Sequence, residues 1–423
     1  MMNKTKFKKF HLKPFLLKAL EEQRIFEPTE IQERLIPSIL NGKSAIGQSQ
    51  TGTGKTLTYL LPIVQKLNVE ENACQAVITA PTRELSDQIY KDLIQLLPEN
   101  HFFRIKKLVG GTDRKRMLEQ LNVSPHVIIG TPGRIRDLIQ MEALNVFTAK
   151  TLVIDEADLM FEMGFINEID FIASRMAKDL QMLVFSATIP ERLQPFLKKY
   201  MDNPKLAQVN DNREANQQIE HLLVPHRHRE VHELIIEICG AIQPYLALIF
   251  ANTKSKVDEL HERLVQTGFR AERLHGGLTP RERKQAMKRI ERLECEYIVA
   301  TDLASRGIDI KGISHVINAE LPEELDFFVH RVGRTGRAGA SGQAITIYRN
   351  EDERKIRALE NRGISFQHVD VKNGEWVKIS PRKRRKPIQK EKAEIILPKP
   401  KKIKPGYKKK WRGKLAKRTK KRK

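Results

Sequence analysis

Short apolar runs recur along this chain, and each ends in a polar string. Ala76-Val-Ile runs into TAPTREL, Val127-Ile-Ile into GTPGR, Leu152-Val-Ile into DEAD and Leu183-Val-Phe into SAT. In the second half Leu248-Ile-Phe runs into ANTKS and Ile298-Val-Ala into TDLASRG. Runs this short, alternating with helical stretches, predict buried parallel strands in strand–helix–strand units. The helical half shows after Arg83, where Leu85, Ile89, Leu93 and Leu97 recur every four residues on one face. In open parallel sheets ligands gather at the carboxyl ends of the strands, so the polar strings are expected on one rim.

The alternation pauses across a polar stretch near Asn203 to Gln218, resumes at Ile219, and gives way after Ile379 to Lys, Arg and Pro. This predicts an N-terminal domain over 1–205, a linker over 206–218, a C-terminal domain over 219–375 and a basic tail over 376–423. A length of 423 residues suits two domains and an appendage. The formal charge of +24 is unevenly spread: residues 381–423 hold 22 Lys and Arg against two Glu. The body is therefore nearly neutral and the tail a polycation, which points to a polyanionic partner, nucleic acid first. Such a tail cannot bury enough surface to offset its ordering entropy and is expected to be disordered when free.

Three scattered cysteines, Cys74, Cys239 and Cys295, stand in no metal-ligand spacing and suit a reducing compartment. No apolar run approaches a membrane span. The basic first twenty residues contain no Arg or Ser, and Phe15-Leu16-Leu17 is too short for a signal-peptide core. The chain reads as cytoplasmic, without a membrane partner.

The string SQTGTGKT (49–56) can cradle a nucleotide's phosphates. Gly52 and Gly54 let backbone amides approach phosphate oxygens at a helix N-terminus. Lys55 would reach the β- and γ-phosphates, and Thr56 would help hold Mg²⁺. Asp155, at a later strand end, is the natural Mg²⁺ partner, directly or through water. Glu156 is placed to orient or deprotonate the attacking water. Arg334 and Arg337 are three apart, so on a helix they share a face. An arginine supplied across an interface neutralises charge in phosphoryl transfer.

These strings resemble the motifs of the DEAD-box ATP-dependent RNA helicases, in order and spacing, over roughly Phe7 to Asp370. They are RIFEPTEIQ (24–32), the phosphate loop, PTREL (81–85), Gly110-Gly111, TPGR (131–134), DEAD (155–158) and SAT (186–188). Ile249-Phe250 with Thr253, ATDLASRGID (300–309) and HRVGRTGR (330–337) follow. The resemblance implies two RecA-like parallel-sheet α/β domains in tandem and RNA-stimulated hydrolysis of ATP with Mg²⁺. It implies that Gln32 reads the adenine edge, that Phe7 supports the base and that Asp309 contacts the ribose. Ser49, Gln50, Thr51 and Thr53 complete the phosphate loop. Arg334 becomes a γ-phosphate ligand and Arg337 the finger. Asp158, Ser186, Thr188 and His330 couple hydrolysis to domain closure.

The same resemblance places RNA on Arg83, Gly110, Gly111, Thr131 and Arg134 in the first domain. In the second it places RNA on Thr253, Gly276, Thr301 and Arg306. Contacts of these types read the backbone and 2′-hydroxyls with little base identity. Three departures stand out. Ser49 replaces Ala, and Arg24-Ile25 replace the usual Gly-Phe, which bears on packing around Pro28. Pro280 replaces Gln in Gln-x-x-Arg, while Arg283 remains.

The expected activity is local unwinding of short RNA duplexes or remodelling of RNA–protein complexes. The bacterial cold-shock-type members are the nearest in kind, which suggests cold adaptation, ribosome assembly or mRNA turnover. Ribosomal precursors or mRNA-decay proteins would then be partners of a monomer. An ATP-gated RNA clamp shares every motif, and a DNA helicase of the wider superfamily is the second rival. The tail has three readings: added RNA affinity, a localisation or ribosome-association tag, or a solubilising run. Tyr407 and Trp411 among its lysines could stack on bases.

Overall fold

The computed structural model describes residues 5–49, 52–110, 118–119, 121–209, 219–305, 310, 312–336 and 341–380. The tail 381–423 lies outside them. The first half carries α1 (Pro14–Glu22), α2 (Glu30–Leu40), β1 (Ala45–Gln48), α3 (Lys55–Lys66), β2 (Ala76–Thr79), α4 (Arg83–Gln95) and β3 (Ile105–Leu108). Then come β4 (Val127–Gly130), α5 (Pro132–Gln140), β5 (Thr151–Asp155), α6 (Ala157–Glu162), α7 (Ile166–Ser174), β6 (Gln181–Ser186), α8 (Gln194–Tyr200) and β7 (Lys205–Gln208). Its strands form one parallel sheet in the order β3-β4-β2-β5-β6-β1-β7.

Both faces of that sheet are covered, as the unbroken apolar runs require. Ile78, Ile129, Val153 and Leu183 point into one core, shared with α4 and the N-terminal helices. Their neighbours Val77, Ile128, Leu152 and Val184 point into the other. The four leucine and isoleucine positions expected along α4 all lie in the first of these cores.

The second half carries β8 (Ile219–Pro225), α9 (Val231–Ala241), β9 (Ala247–Phe250), α10 (Lys254–Gln266), β10 (Ala271–Leu274), α11 (Pro280–Glu291) and β11 (Tyr297–Ala300). It continues with α12 (Asp302–Ser305), β12 (His315–Asn318), α13 (Leu325–Val332), β13 (Gly342–Tyr348), α14 (Glu353–Asn361), β14 (Phe366–Lys372) and β15 (Glu375–Lys378). The sheet order is β10-β11-β9-β12-β13-β8-β14-β15, parallel except for the terminal β14–β15 hairpin.

Both expected domain ends move outward. A linker beginning at 206 would cut β7, whose residues pair with β1, and Val209 N–H still donates to Gln48 O at 2.9 Å. A domain ending at 375 would cut β15, which pairs with β14 through Lys378. Both strands are short edge pieces, and β7 has three of four residues exposed, so neither carries an apolar signal.

Candidate nucleotide and RNA site

The phosphate loop leaves β1 and enters α3 with Gly52 and Gly54 both at φ +87°, a region that disfavours any side chain. A Cβ on Gly54 would also lie 2.5 Å from Gln32 Nε2. Gln32 donates that nitrogen to Gly54 O at 3.1 Å and accepts Thr29 N–H on Oε1 at 2.9 Å. Thr29 Oγ1 donates to Thr53 O at 2.8 Å. The glutamine expected to read adenine thus has both ends of its amide on the protein, clasping the loop to the N-terminus of α2. Phe7 is fully buried and packs edge-on against Phe10, so the structure puts its ring in the core and opens no face to a base.

Ser49 in place of Ala is accommodated because its hydroxyl bonds Thr53 Oγ1 at 2.7 Å. Lys55, 6% exposed, donates to Ser49 O at 2.8 Å and lies 3.9 Å from Glu156 Oε1. Arg24 has φ +58°, at the end of α1 where Ile25 N–H reaches back to Leu20 O. That is the helix-ending turn that favours Gly, which accounts for the usual residue there and makes Arg24 strained. Gln50 and Thr51 lie outside the described residues.

The carboxylates of DEAD split into two environments. Asp155 takes the Tyr59 O–H on Oδ2 at 2.8 Å and the Glu156 N–H on Oδ1 at 3.0 Å. Burial, then the charge of Glu156, push its pKa up to about 6, against the opposing pull of Lys55. Glu156 sits at φ +55°, a strained non-glycine position at the head of α6. Asp158 Oδ2 accepts from Thr188 N and Oγ1 at 3.0 and 3.1 Å, and its own N–H donates to Ser186 Oγ at 3.0 Å. Burial acts to raise its pKa, but His330, Ser186 and the Thr188 and Leu159 amides together hold it below the usual range. So Asp158, Ser186 and Thr188 are bonded to one another, and Asp158 feels the charge of His330, which lies on α13 of the second domain.

Sequence reasoning missed the hub of that second domain. Arg331, 1% exposed, grips Asp302 through Nε and Nη2 at 2.5 and 2.6 Å. It also donates to Asn252 Oδ1 at 2.8 Å and Glu320 O at 2.7 Å, and lies over the Phe250 ring. It thereby joins the ends of β9 and β12 to α12 and α13. The signal was present in HRVGRTGR, but one arginine among three does not announce that it points inward. Arg334 is also buried, one turn on. Arg337, Asp309 and Arg306 lie outside the described residues.

Strand order separates the two groups of candidates. Arg83, Gly110 and Thr131 follow β2, β3 and β4, which are neighbours, while the nucleotide set follows β1, β5 and β6. Arg83 folds over Gly110, where an added Cβ would meet Nη2 at 2.9 Å. Arg134 lies in the first turns of α5, and Gly111 is outside the described residues. In the second sheet Thr253, Gly276 and Thr301 follow β9, β10 and β11, again neighbours. Thr253 caps α10, accepting Lys256 N–H at 3.4 Å. Across the domains Arg283 pairs with Glu84 of PTREL and donates to Ala304 O at 3.0 Å. Pro280 opens α11 beside a Thr279–Glu282 capping box, so the helix start survives the loss of Gln.

Comparison with known proteins agrees with this arrangement. The DEAD/DEAH box helicase family profile matches residues 29–196, and that of the helicase conserved C-terminal domain matches 230–339. The DEAD-box ATP-dependent RNA helicase CshB of Bacillus subtilis is 53% identical over 417 residues, 97% of this chain and 95% of that protein. CshB of Listeria monocytogenes is 50% identical, covering 91% of this chain and 89% of its own. Among solved structures, S. cerevisiae Dbp5 bound to RNA and ADP BeF3 superposes with a TM-score of 0.77 at 27% identity, covering 87% of this chain and 96% of that one. Mss116p bound to ssRNA and AMP-PNP superposes at 0.73 and 26% identity, covering 86% and 78%. With motifs, two parallel sheets and near full-length relatives in agreement, the chain belongs to the DEAD-box ATP-dependent RNA helicases, an ATP-hydrolysing, RNA-binding enzyme on two RecA-like domains.

Proposed function

We propose that this helicase opens short RNA duplexes by closing its two domains on ATP and one RNA strand. The observation that carries the reading is the facing of the two rims. Asp158 of the first domain feels His330 of the second, and Glu84 pairs with Arg283 across the same gap. Closure then sets Arg334, and Arg337 beyond it, against phosphates held by Lys55 and the loop amides. Glu156 orients or deprotonates the attacking water. Asp158, Ser186, Thr188 and His330 carry the state of the nucleotide site to the RNA side. RNA lies along Arg83, Gly110, Gly111, Thr131 and Arg134, then Thr253, Gly276, Thr301 and Arg306, by backbone contacts of low sequence specificity. Gln32 and Asp309 are assigned to the nucleoside, Gln32 through the amide N–H and the carbonyl lone pair that its bonds to Gly54 and Thr29 leave over.

The residues present fit Mg²⁺. Thr56 and Asp155 offer hard oxygen donors, and Asp155 keeps lone pairs after accepting one N–H and one O–H. When bound, the cation would neutralise charge on the β- and γ-phosphates. We take the linker to lie after Val209 and before Ile219, between the two sheets.

Cytoplasmic residence is supported by three free, buried cysteines. Among the described residues no helix is long and apolar enough to cross a membrane. By kinship with the CshB proteins we place the activity in cold adaptation, ribosome assembly or mRNA turnover, in a monomer acting on ribosomal precursors or with mRNA-decay proteins. The tail adds non-specific RNA affinity. Its removal at residue 380 should weaken RNA binding and flatten the salt dependence by about 0.7 log units per lost contact, while sparing maximal ATPase. An unchanged slope would leave it a solubilising run.

The test is strand displacement on a ten-base-pair RNA duplex, with ATPase measured against mixed RNA and single-stranded DNA. Displacement with RNA-specific stimulation is expected. ATP-stabilised binding without displacement would make the protein a clamp.

A further inference from the structure

Tyr59 lies on the nucleotide face of α3, and none of the roles above uses it. The helix begins at Lys55, so Tyr59, four residues from Lys55 and three from Thr56, lies one turn along from both. Tyr59 has no solvent exposure, and its ring packs on Phe185 with centroids 5.2 Å apart. A buried phenol needs a polar partner for its hydroxyl. Here the O–H donates to Asp155 Oδ2 at 2.8 Å.

The other oxygen of Asp155 is held by Glu156 N–H at 3.0 Å. With one donor on each oxygen, the carboxylate can neither rotate about its terminal bond nor swing away. Removing a group that orients a metal ligand from behind typically costs about 10–100-fold in metal affinity or activity.

We infer that Tyr59 is a positioning residue for Mg²⁺: its hydroxyl holds Asp155 from behind and presets the orientation in which the carboxylate meets the cation. The inference rests on the reading of Thr56 and Asp155 as the cation's side chains. The competing account is packing alone, with the ring filling the space beside Phe185 and the hydroxyl incidental. Under that account phenylalanine would serve equally well.

The experiment measures the affinity of full-length protein for a fluorescent ADP in Mg²⁺ and in EDTA. It compares wild type, Tyr59→Phe and Asp155→Asn. For Tyr59→Phe we expect unchanged affinity in EDTA and a roughly tenfold smaller gain on adding Mg²⁺. The Mg²⁺ concentration for half-maximal ATPase should rise by a similar factor. Tyr59→Leu, which also loses the ring, should lower the melting temperature further without deepening the Mg²⁺ defect. If Tyr59→Phe keeps the full Mg²⁺ gain while Asp155→Asn loses it, the inference is overturned and the reading of Asp155 stands. If Asp155→Asn also keeps the gain, both fall together. An equal loss in EDTA and in Mg²⁺ would mean a damaged pocket and would also overturn the positioning role.

Discussion

Buried charge is handled differently in the two domains. In the first, Lys55 rests on one backbone carbonyl and stands 3.9 Å from Glu156, while Asp155 is held by burial near a pKa of about 6. In the second, Arg331 is bonded to Asp302, Asn252 and Glu320 and stacked over Phe250. The first arrangement is short of opposite charge and suits a polyphosphate with its cation. The second is complete and holds loops together. A buried ion that is fully paired is architecture; one left short of pairing marks where a ligand belongs.

Four substitutions press on that contrast. The largest effect is expected at Lys55→Ala, which should lower ATP turnover by at least about 10²–10³-fold while leaving the fold intact. Steady-state ATPase with saturating RNA measures it, and turnover near wild type would remove Lys55 from the chemistry. Arg331→Ala should do the reverse kind of damage. Stripping a buried ion of its partner typically costs about 3–5 kcal/mol, read as a shift in the denaturant midpoint. A stability loss below about 1 kcal/mol would mean the hub is dispensable.

The third substitution concerns acid. His221 on β8 packs against the rings of both Phe328 and Phe366, and burial lowers its pKa to about 4. Its unfolded value is near 6.5, so the unfolded chain takes up the proton first. The stability of the second domain is therefore whole above pH 6.5 and drains as pH falls towards 4. Asp155, raised to about 6, has the opposite sign: without ligand, the first domain gains from it as pH falls through 6 towards 4. His221→Leu should reduce the loss of stability between pH 7 and 4.5 by about 2 kcal/mol. Denaturant titrations at the two pH values measure this, and an unaltered acid limb would exclude His221 as its cause. The smallest effect is at Arg24→Gly. Relieving the left-handed backbone should stabilise the first domain by about 1 kcal/mol or less. A lower melting temperature would show instead that the arginine side chain carries a contact worth more than its strain.

Much of both domains was legible from the chain. All six apolar runs became strands, and each polar string fell at a carboxyl end, because strands buried on both faces must be apolar throughout. The edge strands β7 and β15 were not legible, since a half-solvated strand of four residues has no pattern to read. That is why both domain ends were placed early. Among the site residues, those with a local geometric signature were found, such as the glycines at φ +87° and the carboxylates at a strand end. Arg331 and Tyr59 were not, because what distinguishes them is the partner they meet, at separations of 29 and 96 residues.

The chain by itself therefore determined the class of fold, the chemistry of its nucleotide loop and the family. Those depend on periodicity and on residue types a few positions apart. Packing decided which charges are paired. It turned Gln32 onto Gly54 and closed Phe7 into the core, and it made Arg331 a strut and brought Arg283 onto Glu84. The physical reason is one of range. A strand or turn is set by neighbours along the chain, whereas the state of a buried charge is set by whichever dipoles and ions the fold places within a few ångströms of it.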